Sequence, residues 1–261
     1  MIRYLKWCVA ALAAALFSAC GGGGGGSDLS SPTARCGSLG LSPKIYNGTE
    51  CEYSPSSPVV PVLVQNRSGQ IGLCSGTVLS PSRVLTAAHC LGADIRRVAV
   101  PVLLSDGTTA DVLASSWAVH PEFATDADGF YNDAAVVTLS GPLPNPNMAL
   151  LISQPAAVGQ KVFLAGWGDP VYDIVAGNAT LTVVSADHVG YTFTGTDSNT
   201  CRGDSGGPMY RTVNGRPGIL GITSTGTATT CGDRDLALFT NVQSFKVLNF
   251  IRAQAPEVQV F

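Results

Sequence analysis

Three short stretches hold side chains whose types and order could do nucleophilic chemistry. They are Leu85-Thr86-Ala87-Ala88-His89-Cys90, Asn132-Asp133-Ala134-Ala135-Val136 and Cys201-Arg202-Gly203-Asp204-Ser205-Gly206-Gly207-Pro208. A serine hydroxyl is a weak nucleophile until a base takes its proton. An imidazole titrates near neutral pH and can take that proton and return it. A buried carboxylate fixes the imidazole tautomer and stabilises the imidazolium that forms. Glycines around the serine let backbone N–H groups approach an oxygen that is gaining negative charge. His89, Asp133 and Ser205 therefore read as base, orienting acid and nucleophile. His120 and His188 read as surface or packing residues.

Chain order separates the folds that carry such a set. Gly203-Asp204-Ser205-Gly206-Gly207 also fits the G-x-S-x-G elbow of α/β-hydrolases, whose histidine follows the serine. All three histidines, 89, 120 and 188, precede Ser205, which excludes that order. The subtilisin order needs an aspartate before the histidine. The only aspartate before His89 is Asp28, in a glycine-rich stretch. The order that remains, His-Asp-Ser, is that of chymotrypsin.

On TAAHC, the spaced Asn-Asp pair and GDSGGP, the chain resembles the trypsin/chymotrypsin-like serine endopeptidases from Ile45 to Phe261. The resemblance implies an all-β fold of two packed six-stranded antiparallel β-barrels with a C-terminal helix and the site between the barrels. It implies an oxyanion hole made by the N–H groups of Gly203 and Ser205. It implies that Ser224-Thr225-Gly226 pairs with the substrate backbone as an added strand, with Thr225 where a tryptophan is usual. It implies disulfides Cys74–Cys90 and Cys201–Cys231, with Cys36–Cys51 as the remaining pair. By the residues alone, six cysteines allow 15 pairings.

The same resemblance reads Lys44-Ile45-Tyr46-Asn47-Gly48 as an activation junction, with Asn47 where glycine is usual. A cut after Lys44 would free the Ile45 ammonium to pair with Asp204 and shape the oxyanion hole, a switch built on a buried ion pair. Asn199 stands where trypsin-like members carry an aspartate at the base of the specificity pocket, and Ala237 where a wall glycine is usual. With no carboxylate at Asn199, small or medium neutral side chains are expected at the cleaved position. A separate activating protease is then expected to cut at Lys44. The partners are a protein or peptide substrate and that protease, and the chain is expected to be a monomer. No cofactor and no metal are expected: Asp106 and Asp111, in the segment that binds calcium in some relatives, read as solvated turn residues.

Composition bounds the alternatives. The chain has 261 residues with a formal charge of −3, and only 13% are charged. Lys and Arg form no basic stripe, which disfavours nucleic acid, since phosphate contacts need clustered cations. Arg3 and Lys6 precede an apolar run, Trp7 to Phe17, followed by Ser18 and Ala19. That is a secretory signal over residues 1–19, too short to span a bilayer. Leu16-Phe17-Ser18-Ala19-Cys20 resembles a bacterial lipoprotein signal, in which Cys20 would be lipidated. Gly21–Gly26 would then begin a tether. Residues 20–44 read as linker and pro-segment, flexible over 20–35, and residues 45–261 as the protease domain. The product is exported, either held at the cell envelope by the lipid alone or secreted.

The elements that must position these residues are mostly strands. β-rich runs recur at Val59–Val64, Val84–Ala88, Val98–Leu104, Ala134–Leu139, Lys161–Gly166, Thr180–Val184 and Gly218–Ser224, separated by turn residues. That pattern indicates a sandwich or barrel. One helix is expected over Val242–Ala253, with Val242, Phe245, Leu248 and Ile251 on its buried face. A non-catalytic binding module on the same fold, and an esterase, are the competing functions. The substrate-pairing segment Ser224–Gly226 argues against the esterase.

Overall fold

The computed structural model describes residues 32–39, 50–104, 106–127, 129–168, 173–227, 231 and 233–261. The signal segment, Cys20, the glycine run, Lys44 and Ile45 lie outside the described residues.

Valine-rich segments dominate the first half because β-branched side chains suit a pleated, buried surface. Eight strands form there: β1 (Val59–Asn66), β2 (Ile71–Ser80), β3 (Arg83–Thr86), β4 (Ile95–Leu103), β5 (Thr109–Val119), β6 (Ala124–Asp126), β7 (Gly129–Tyr131) and β8 (Ala135–Leu139). Six of them close a barrel in the order β1-β2-β3-β8-β5-β4, with β4 returning to β1. Closure leaves no unpaired edge. β6 and β7 form a separate hairpin just ahead of Asp133.

The second half contributes β9 (Ala149–Leu150), β10 (Lys161–Gly166), β11 (Val175–Thr180), β12 (Val183–Val184), β13 (His188–Phe193), β14 (Pro208–Val213), β15 (Arg216–Thr225) and β16 (Asp235–Asn241). They build an eight-stranded, barrel-like sheet in the order β11-β10-β14-β15-β16-β13-β12, with β9 parallel to β15. The fold is thus all-β, with two barrel-like sheets and a C-terminal helix. The expectation of six closed strands holds for the first sheet. The second has eight strands: the run Thr180–Val184 is divided between β11 and β12 at Leu181 and Thr182, and β9 adds alongside β15.

The terminal helix α2 covers Phe245–Gln254, three residues later than expected at its start. Its buried residues are Val247, Phe250 and Ile251, whereas Phe245 is 79% exposed. Val242 lies ahead of the helix, so a stripe counted from it is out of phase. A short helix, α1 (Pro32–Gly37), forms where composition indicated a flexible linker. Cys36 is fully buried there and Leu39 nearly so, which is what orders the segment. Among the described residues, three disulfides are present: Cys36–Cys51, Cys74–Cys90 and Cys201–Cys231. Among the described residues, no helix is long and apolar enough to cross a membrane.

Candidate active site

The chemistry-bearing residues come from both sheets. His89 sits in a 3-10 turn (Ala88–Leu91) directly after β3, and Cys74–Cys90 ties that turn to β2. Asp133 directly precedes β8, the barrel neighbour of β3, so β-pairing alone brings the two segments side by side. Asn132, just before it, adopts a left-handed conformation (φ 50°) that turns the chain out of the β6–β7 hairpin. Asn tolerates that region better than most residues.

Asp133 is fully buried, and its carboxylate is well satisfied. Oδ1 accepts from the His89 backbone N–H at 2.9 Å. Oδ2 lies 2.7 Å from His89 Nδ1 and accepts from Ser224 Oγ at 2.6 Å. Three donors converge on this one buried carboxylate, which fixes the imidazole. The other face of that ring stacks on Phe130, with centroids 4.9 Å apart and planes 17° apart. The Phe130 carbonyl is held in turn by His188 Nε2 at 2.7 Å. His188 and His120 are both buried, and His120 packs on Phe250.

Ser205 lies in the tight turn between Cys201 and β14. Its carbonyl accepts from Ser75 N–H at 2.8 Å, which pins it to β2. Two glycines make this turn possible. Gly203 has φ 95°, and a Cβ there would stand 2.9 Å from Gly168 Cα. Gly206 has φ 86°, and a Cβ there would collide with Thr86 Oγ1 and the Ser75 carbonyl. Among the described residues, neither the Gly203 nor the Ser205 N–H donates to a backbone carbonyl, whereas the neighbours Asp204, Gly206 and Gly207 all do. Nor does a hydrogen bond join Ser205 Oγ to the His89 ring. In ligand-free sites of this kind that bond is often long and tightens on substrate binding.

Ser75 was not singled out by sequence. It is fully buried. Its Oγ donates to the Gly203 carbonyl at 2.8 Å and accepts from Trp167 N–H at 2.9 Å. The Asp204 carboxylate accepts from Gly168 N–H and Cys201 N–H, both at 2.8 Å. Burial pushes its pKa up to about 6, against the pull of those two donors. It borders a cavity of about 220 Å³ that Gly166, Val175, Ser198 and Asn199 also line.

A second cavity, of about 310 Å³, opens beside Ser205 and is lined by Ser224, Thr225, Gly226, Thr200, Cys201 and Asp235, among others. Neither Asn199 nor Ala237 lines it. Asn199 turns its Oδ1 to Tyr191 Oη and donates Nδ2 to the Cys231 carbonyl. Ala237 is fully buried opposite Tyr191 in the β13–β16 ladder. Phe130 and Asp235 were missed by sequence as well. The available signals were an aromatic three residues before Asp133 and a carboxylate shortly after Cys231. Among the described residues, no group of three or more His, Cys, Asp or Glu side chains could hold a metal ion.

Comparison with known proteins gives the family of the chain. Residues 45–251 match the family described as Trypsin. The chain is 31% identical over 219 residues to "Serine protease 56" of Mus musculus, covering 71% of this chain and 35% of that protein. It is 32% identical over 177 residues to "Trypsin" of Saccharopolyspora erythraea, covering 59% of this chain and 75% of the relative. It is 30% identical over 204 residues to "Brachyurin" of Leptuca pugilator, covering 69% and 87%. The chain thus spans about a third of the length of the mouse protein. It belongs to the trypsin family, a family of serine-type endopeptidases.

Proposed function

We propose that the chain is an exported serine endopeptidase. The observation that carries this is the buried Asp133 carboxylate, which joins the His89 main chain, the His89 ring and Ser224 beside the Gly203–Ser205 turn. Ser205 Oγ attacks the scissile carbonyl as His89 Nε2 takes its proton. The oxyanion that forms accepts from the Gly203 and Ser205 N–H groups. The imidazolium, held by Asp133, then protonates the leaving amine and leaves an acyl-serine. Water, deprotonated by His89, releases the acid and restores the site. Losing one oxyanion donor typically costs about 10²–10³ in kcat.

Residues 1–19 are the export signal. Residues 20–44 are anchor, linker and pro-segment, with Cys20 the lipidated residue at a bacterial cell envelope. Residues 45–261 are the protease domain. A cut after Lys44 frees the Ile45 ammonium to pair with Asp204. The substrate backbone lies along Ser224-Thr225-Gly226 as an added strand.

The test is the intact mass of the full chain after exposure to a fluorophosphonate probe. One adduct is expected on the chain cut at Ile45, and none on a Ser205→Ala chain. An unlabelled chain already cut at Ile45 would instead make it a binding module. The same spectrum reads whether the chain begins at a lipidated Cys20.

A further inference from the structure

The β6–β7 hairpin carries the ring that covers His89, yet it has little of its own to hold that ring in place. Its strands are three residues each, they pair with each other alone, and all of β6 is exposed. A lone two-stranded hairpin is marginal in water. Its anchor comes from the second sheet. His188, 8% exposed at the start of β13, donates from Nε2 to the Phe130 carbonyl at 2.7 Å. A carbonyl can only accept, so Nε2 of this imidazole carries a proton. The Tyr131 ring meets the His188 ring edge-on, with centroids 5.3 Å apart. Thr240 faces His188 across the β13–β16 ladder, and its Oγ1 donates to the Asp133 carbonyl at 3.2 Å. One cross-strand pair thus grips both ends of the stretch Phe130–Asp133, which bears the stacking ring and the carboxylate that meets His89.

We propose that His188 is a positioning residue of this site and acts on His89 through Phe130. The inference rests on the endopeptidase reading above. The Asp133 bond holds the His89 ring at one atom, Nδ1, and a ring held at one atom can still tilt about that bond. Phe130, with its centroid 4.9 Å away and its plane 17° from parallel, closes one face to that tilt. That keeps Nε2 in the plane from which it takes the Ser205 proton, and orientation of this kind is what proton transfer needs. The stack acts as a stop only while the hairpin is fixed. The Phe130 carbonyl is the point at which His188 fixes it. His188 and Phe130 are 58 residues apart, so the sequence alone supports no more than a packing role for His188.

The experiment has two readouts, one of which needs no turnover. The first is proton NMR of the His89 ring in the full chain, which has 3 histidines. An aromatic ring stacked on an imidazole shields the imidazole protons, so they are expected upfield in the wild type. They should stay upfield in His188→Gln, which keeps an N–H donor, and move downfield in His188→Ala. The second readout is the rate at which a small fluorophosphonate labels Ser205 in the chain cut at Lys44–Ile45. This probe carries no peptide for Phe130 to touch. His188→Ala should label about 10-fold more slowly, the size of an aromatic pair's contribution, and His188→Gln should recover most of that rate. Phe130→Ala should lose about as much, and adding His188→Ala to it should cost less than about 2-fold more, since the two residues act as one unit. Unchanged His89 signals and labelling in His188→Ala overturn the proposal. So does a glutamine variant no better than alanine, or losses that multiply in the double variant, either of which makes His188 a structural residue only. If His188→Ala does not fold, Phe130→Ala decides: undiminished labelling there means that the stack positions nothing. A cut wild type that does not label, with His89 signals that still depend on His188, would reject the endopeptidase reading and leave the positioning contact standing.

Discussion

Ser75 shows how much of the site depends on a side chain that does no chemistry. Its hydroxyl bonds the Gly203 carbonyl and the Trp167 N–H, and its own N–H holds the Ser205 carbonyl. It thus fixes the turn on both sides of Asp204. Ser75→Ala would leave the half-buried Gly203 carbonyl and the buried Trp167 N–H without that partner, at about 1–3 kcal/mol. Because Gly203 is also the proposed oxyanion donor, the loss should fall on kcat. We expect kcat to drop about 10-fold with KM nearly unchanged. Steady-state kinetics on one peptide amide checks this; a raised KM with kcat intact would make Ser75 a mere packing residue. The contrast with His89, Asp133 and Ser205 is instructive. Those three stand in local motifs whose residue types alone point to chemistry. Ser75 and Gly203 are 128 residues apart, and Ser224 and Asp133 are 91 apart. Such pairings exist only after the strands register, so no local pattern announces them.

Among the elements, the legible ones were runs of buried valine and leucine such as β1, β8 and β10. β2 was missed because Gly72, Ser75 and Gly76 dilute its β signal, although most of the strand is buried. β5 was missed because its residues are largely exposed, so it lacks an apolar pattern. Helix α1 depends on tertiary contacts outright. A six-residue helix is too short to persist alone. Arg35 Nε donates to Asn178 Oδ1 at 2.9 Å, Ser38 Oγ meets Tyr210 Oη at 2.8 Å, and Cys36 and Cys51 are both fully buried. The segment ahead of Lys44 is therefore held to the second sheet by packing and by a disulfide. A cut at Lys44–Ile45 should leave the chain in one piece under non-reducing denaturing conditions and in two after reduction. In membranes bearing the lipidated chain, the protease domain should leave only after both cutting and reduction. Release by cutting alone would refute this tether.

At the scale of the whole molecule, the proposed cut after Lys44 would act on the site through one carboxylate, that of Asp204. Asp204 sits one residue from Ser205, and burial raises its pKa to about 6 from 3.8. The folded, uncut chain therefore holds this proton more tightly than the unfolded chain does. Between about pH 4 and pH 6 the native state binds more protons, so this group makes stability fall as pH rises. Above pH 6 the full cost is present, about 3 kcal/mol at 1.36 kcal/mol per pKa unit. An ammonium delivered at Ile45 would offset that cost by pairing with the carboxylate and lowering its pKa. The uncut chain should thus lose thermal stability between pH 4 and pH 7, by about 6–12 °C through this group. That pH-dependent part should be absent from uncut Asp204→Asn, and absent or reversed in the cut wild type. Thermal melts of the three proteins across this range provide the check. Matching pH slopes in cut and uncut wild type would mean that the Ile45 ammonium never reaches Asp204. The oxyanion turn would then be set by the Ser75 and Gly168 contacts alone, and cutting would not change fluorophosphonate labelling.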